Sequence, residues 1–191
     1  MDTGYVIGGK KRKAAAIGCA FAFASLVMEP AVAATADGSL GATSTGTVDI
    51  LASVPARARI TGLATVDFSG QDPTVAASDA QDVCVWSNTA TKGYTITATG
   101  NGAASAFTLS DGSNTVPYSV EWSASSGQSS GSALATGVAS GSLVSTATNQ
   151  SCASGPTASA SLIVKMSTAD LSTMVGGSSY SGTLTLLVTP L

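Results

Sequence analysis

Histidine is missing from this chain altogether. That removes the commonest general base and the commonest zinc ligand. Charged residues make up only 10% of the sequence, too few for the basic stripe that gathers nucleic acid or anionic lipid. Beyond residue 33 the basic residues are Arg57, Arg59, Lys92 and Lys165, outnumbered by Asp37, Asp49, Asp67, Asp72, Asp79, Asp82, Asp111, Glu121 and Asp170. Such an acidic surface repels polyanions, so no nucleic-acid partner is expected. No Gly-rich phosphate loop is present. Leu, Lys and Glu, which sustain long helices, are scarce. The carboxylates are scattered, with Asp79 and Asp82 the close pair. A weak calcium site there is outweighed by a solvated turn, because calcium needs six or more oxygens at defined spacing. The chain therefore reads as a non-enzyme with no catalytic residue, no cofactor and no metal.

What is present is mostly Thr, Ser, Ala, Gly and Val, of which Thr and Val favour strands. Residues 1–33 read as a secretory signal peptide: a basic head at Lys10–Lys13, an apolar run from Ala14 to Val27, and Ala31-Val-Ala33 as a cleavage motif. Cleavage is expected after Ala33, with Ala34 or Ala36 as alternatives. Ile17-Gly18-Cys19 echoes a lipoprotein box, but it stands at the start of the apolar run, where lipidation is not expected. No later run is long enough to span a bilayer as a helix. Two cysteines remain, Cys84 and Cys152, and in an exported protein a disulfide between them is the default reading.

Short extended runs separated by Gly, Asn and Asp recur about every ten residues, the pattern of an all-β sandwich. Strands are expected at 47–54, 58–68, 81–87, 94–99, 106–110, 116–122, 142–148, 158–166 and 180–189. Asp111-Gly-Ser-Asn114 is a turn sequence, and Ser167 can cap a single helical turn. Residues 123–141, almost all Ser, Gly and Ala, suggest a mobile loop or an irregular edge. Asn149-Gln150-Ser151 matches a glycosylation sequon. Val83, Val85 and Ser87 alternate with Cys84, Trp86 and Asn88, and Tyr118, Val120 and Trp122 with Pro117, Ser119 and Glu121, as a sheet with one buried face requires. Trp86 and Trp122 are expected to be packed, and a sugar-binding platform is the rival reading.

The two ends carry the functional signal. Val48, Ile50, Ala52 and Val54 share one face of a strand that Pro55 stops, after a small, polar leader at 34–46 that reads as a flexible arm. At the other end, Tyr180, Leu184, Leu186 and Val188 share the face of a terminal strand. Terminal segments fray unless something pairs with them. A strand on a loose arm can leave its own domain and fill an edge groove in a neighbour, main-chain bonds giving affinity and alternate side chains giving register. Whether 47–54 is donated or kept is open at this level.

Val83-Cys-Val-Trp-Ser-Asn88, Gly93-Tyr-Thr-Ile-Thr-Ala-Thr-Gly100 and Val116-Pro-Tyr-Ser-Val-Glu-Trp122, with the two end segments, resemble exported pilin-like subunits of chaperone–usher systems, namely the alpha-type fimbriae and the spore-coat-U-like group. The resemblance implies an incomplete immunoglobulin-like β-sandwich over residues 47–191, completed by donor-strand exchange. Val48, Ile50, Ala52 and Val54 would be the donor residues. Leu184, Leu186 and Val188, with Tyr180 on the same face, would first pair with a periplasmic chaperone. Implied partners are identical or related pilin subunits, that chaperone and an outer-membrane usher; the route runs through the periplasm to a surface fimbrium or coat. The rival is a secreted adhesin or carbohydrate- or protein-binding module, which adds a host or surface receptor.

Overall fold

The computed structural model describes residues 35–191. The expected signal peptide, 1–33, lies outside the described residues. The chain divides into two units, one ending at Ala52 and the other spanning Ser53–Leu191.

In the first unit, Ala36 and Thr47 form an antiparallel bridge. Their N–H groups donate to each other's carbonyl oxygens at 3.2 and 2.9 Å. The leader thus bridges to itself at this one pair. The strand expected at 47–54 is a correction: beyond the Thr47 bridge, residues 48–54 belong to no sheet. Their apolar side chains stay outside, with Val48 74% and Ile50 88% exposed. Alternation alone does not make a strand, because each extended residue needs a hydrogen-bonding neighbour.

The second unit is an all-β sandwich of antiparallel strands. Its larger sheet has the order β1-β2-β9-β6-β7, with β1 at Ala58–Thr61, β2 at Ala77–Ser87, β6 at Ser119–Ser123, β7 at Ser132–Ala133 and β9 at Ala160–Met166. The smaller sheet has the order β10-β3-β8, with β3 at Gly93–Gly100, β8 at Leu143–Val144 and β10 at Leu184–Pro190. A separate hairpin joins β4, Thr108–Ser110, to β5, Thr115–Pro117. One helical turn, α1, covers Thr168–Leu171, its N-terminus capped by Ser167 Oγ accepting from Asp170 N.

The core is built by period-two alternation. Val83 and Val85 of β2, Val120 and Trp122 of β6, and Leu162 and Val164 of β9 meet Tyr94 and Ile96 of β3. On the opposite face of β2, Cys84 is disulfide-bonded to Cys152 with their Cα atoms 5.8 Å apart. Ala147 and Trp86 pack on that bridge. Buried serines complete the ladder where strands diverge: Ser159 Oγ accepts from Val85 N at 2.8 Å and donates to Val85 O at 2.9 Å. A serine-rich core edge is tolerable only because such hydroxyls are satisfied.

Of the two readings of the Ser/Gly/Ala stretch 123–141, mobile loop or irregular edge, it takes the edge form, since β7 pairs with β6 and Leu134 packs against the core. The single strand expected at 116–122 is two, β5 and β6, because Tyr118 N turns to Phe107 O at 3.0 Å between them.

Candidate functional site: an open groove beside the last strand

The strand expected at 58–68 stops at Thr61. The next residue, Gly62, sits at φ +85°, a conformation that glycine adopts freely and other residues resist. It swings the chain off the β2 ladder. The departing backbone is held by a side chain instead: Ala64 N donates to Gln81 Oε1 at 2.7 Å, and Gln81 Nε2 donates to Ala64 O at 3.2 Å. Leu63, Val66 and Phe68 consequently stand apart from the sheet and form one wall of a groove.

Leu184 and Leu186 of β10 and Leu162, Val164 and Met166 of β9 line the same groove. Leu171 of α1, Met174 and Tyr180 also line it. Tyr180 Oη, accepting from Val175 N at 3.1 Å, pins that loop. The groove has a volume of about 860 Å³. Leu184, Leu186 and Val188 face the core, yet each remains half-exposed. Fully buried Tyr94, Ile96, Val83 and Val85 are the contrast. The core is closed where β1 covers it and open where the chain has left after Gly62.

The edge beside the groove has unused hydrogen-bonding capacity. In an antiparallel ladder, alternate residues point their N–H and C=O to opposite sides. Leu191 N donates to Gly93 O at 3.0 Å, and residues 184–190 pair with 100–94. On the far side of β3, Ile96 and Ala98 accept from Ser140 N and Gly137 N, each at 2.8 Å. Thr185, Leu187 and Thr189 therefore bond to β3. The main-chain groups of Leu184, Leu186 and Val188 point outward from the sheet edge, and no strand within Ser53–Leu191 pairs with them. Leu184 and Leu186, whose apolar side chains line the groove, also carry main-chain groups that pair with no strand among the described residues. That combination fits an added strand.

The other sequence candidates are not gathered here. Trp122 is buried, with Nε1 donating to Tyr94 Oη at 3.2 Å, so it offers no sugar platform. Trp86 packs beside the disulfide. Asp79 and Asp82 fall on opposite faces of β2, one half-buried and one exposed, which separates their carboxylates. Asp82 is engaged by Gly127 N at 2.7 Å and Ser161 Oγ at 2.7 Å, and these bonds, that of Gly127 foremost, lower its pKa. No metal-holding cluster occurs among the described residues. Asn149 caps its own turn by accepting from Ser151 N and Ala153 N, and its Nδ2, the atom a glycan would take, is buried. The groove wall at 63–68 was missed in the sequence; Gly62, an isolated glycine within an apolar run, was the available signal.

No protein-family model matches this chain, and no curated protein matches it. Among solved structures it is similar to a chain of a chaperone–tip adhesin complex of CFA/I fimbriae biogenesis, at 16% identity and a TM-score of 0.42. The match covers 70% of this chain and 41% of that one, so this chain spans less than half of its neighbour's length. No helix among the described residues is long and apolar enough to cross a membrane.

Proposed function

We propose that this protein is an exported structural subunit of a surface filament or coat, assembled by strand donation and performing no catalysis. The observation that carries the reading is the groove itself: an apolar trough beside the main-chain edge of Leu184, Leu186 and Val188, which pairs with no strand among the described residues. The segment suited to fill it is 47–54 of another subunit, whose Val48, Ile50 and Val54 are exposed. Fully extended, those residues reach about 26 Å, which matches the 7 residues of β10. Burying each Val or Ile contributes about 1.5–3 kcal/mol, against about 0.5–1.5 kcal/mol net per main-chain hydrogen bond. Over one strand the two contributions are therefore of similar size, and the ladder also supplies register.

On this reading a periplasmic chaperone first occupies the β10 edge and an outer-membrane usher hands the subunit on. The Cys84–Cys152 disulfide fits passage through an oxidising compartment. The deciding test is deletion of residues 34–54. The truncated protein is expected to remain a chaperone-bound monomer, while the protein with its leader builds filaments visible by electron microscopy. Filaments built by the truncated protein would overturn the assignment of 47–54 as donor.

A further inference from the structure

The unit Ser53–Leu191 is electrically polar along its strands. At one end, β1 begins opposite Ser87 and β10 finishes opposite Tyr94. Arg57, Arg59 and Lys92 cluster at that end, all exposed. Asn88 fixes the approach of Arg57: Asn88 Oδ1 accepts from Arg57 N at 2.6 Å, and its Nδ2 donates to Pro55 O at 2.9 Å. None of the three cations has a carboxylate within ion-pair distance among the described residues, where the pair formed is Lys165 with Glu121 at 2.7 Å.

At the other end, β2 begins opposite Met166 and β10 begins opposite Gly100. There the chain places Asp67 on the groove lining, Asp72 just before β2, Asp111 in the β4–β5 turn and Asp170 in α1. Ser110 is bridged to Ser181, which brings the Asp111 turn to the start of β10. Asp67 and Asp72 are held by their own turns, accepting from Ser69 N and Thr74 N at 2.8 Å each. The fourth cation, Lys165, is neutralised by Glu121, so it does not offset this acidic end.

Resting on the strand-donation reading above, we infer that the two ends are complementary docking surfaces between successive copies of this chain, Arg57 and Arg59 of the donor seating against Asp67 of the acceptor's groove and Asp72 farther along the same loop. Arg57 lies three residue steps beyond Val54, a reach of about 10 Å. A donor segment lying in the groove must therefore deliver these arginines to whichever end it leaves. Leaving at the Leu184 end brings them to carboxylates. Leaving at the Pro190 end brings them to the acceptor's own Arg57, Arg59 and Lys92, where like charges repel. The poles thus select one polarity of insertion, and they steer encounter before any apolar contact forms. Exposed charges of this kind act over about 10 Å at 0.1 M salt and about 3 Å at 1 M, so joint formation is salt-sensitive while the finished joint, held by apolar burial, is not.

The test follows assembly of the mature protein by light scattering across 0.05–0.5 M NaCl (about a threefold change in screening length), alongside Arg57→Glu/Arg59→Glu, Asp67→Asn/Asp72→Asn and the 34–54 deletion. Asn retains the turn-capping oxygen, so the acidic rim loses charge and keeps its geometry. Wild type is expected to assemble several-fold more slowly at high salt. Both charge variants should assemble about tenfold more slowly than wild type at low salt and show a flattened salt dependence, with disassembly rates unchanged. Charge variants that assemble at the wild-type rate with the wild-type salt slope, while the deletion does not assemble, overturn the charged joint and leave strand donation standing. Assembly by the deletion overturns both.

Discussion

Trp122 of β6 donates its indole N–H to the hydroxyl of Tyr94 on β3 at 3.2 Å, joining the two sheets through the middle of the core. Both residues are buried, and burial pushes the Tyr94 hydroxyl pKa up. The bond lets a sandwich with few aromatics use two large ones without stranding a polar atom. Tyr94→Phe keeps the ring and leaves Trp122 Nε1 without a partner. Such an orphaned donor costs about 1–3 kcal/mol. Chemical denaturation should show that loss with an unchanged m-value, and Trp122→Phe in the Tyr94→Phe background should cost less than it does in wild type.

Cys84 and Cys152 close a loop with a sequence separation of 68. On the chain-entropy account a loop of that length stabilises by about 4 kcal/mol. Replacing both cysteines by alanine should lower the thermal midpoint markedly, and reductant should do the same to wild type but not to the double variant. The effect is expected throughout Ser53–Leu191, because the bridge ties the β2 strand to the segment that leads into β9.

How far the fold was legible can be argued from individual strands. Period-two alternation located the inward face of β6, where Val120 and Trp122 are buried, and the two cysteines beyond residue 33 left one pairing to consider. It failed at 58–68, where an apolar run looked continuous although Gly62 breaks it at positive φ. Alternation reports which side chains share a face; it does not report whether a neighbouring backbone lies within bonding distance. The same limit applies at 142–148, where two residues pair as β8 while Ser145 turns inward to bond Val85 O. The alternating apolar face of Leu184, Leu186 and Val188 was legible, but the groove beside it was not. A vacancy is defined by elements from distant parts of the chain, and no local pattern encodes it.

Asp111 tests the β4–β5 turn by pH. Its carboxylate accepts from Asn114 N at 2.6 Å and from Ser113 N at 2.9 Å. These bonds, that of Asn114 foremost, hold its pKa at about 2 against an ordinary 3.8. A pKa lowered on folding means the stabilisation is fully present above pH 3.8 and is lost as the pH falls through about 2. Carbonyl NMR of Asp111 should titrate near the lower value. Asp111→Asn should remove this part of the acid sensitivity, visible as earlier amide exchange in the hairpin at neutral pH and little further change on acidification.

Separate damage to the two halves of the proposed joint gives the strictest check of strand donation. A copy lacking residues 34–54 keeps its groove and has no donor. A copy with Leu184→Ser and Leu186→Ser keeps its donor and has a spoiled groove; both leucines are half-exposed, so each substitution sacrifices less than the full burial of about 1.5–3 kcal/mol. Neither protein should associate alone beyond a single copy. Mixed in equal amounts, they should form a one-to-one pair and nothing larger, because the joint made by one donor and one groove leaves no second donor or groove to extend it. Sedimentation of the mixture distinguishes this from a general loss of folding, which would give no pair, and from assembly through some other surface, which would give longer species.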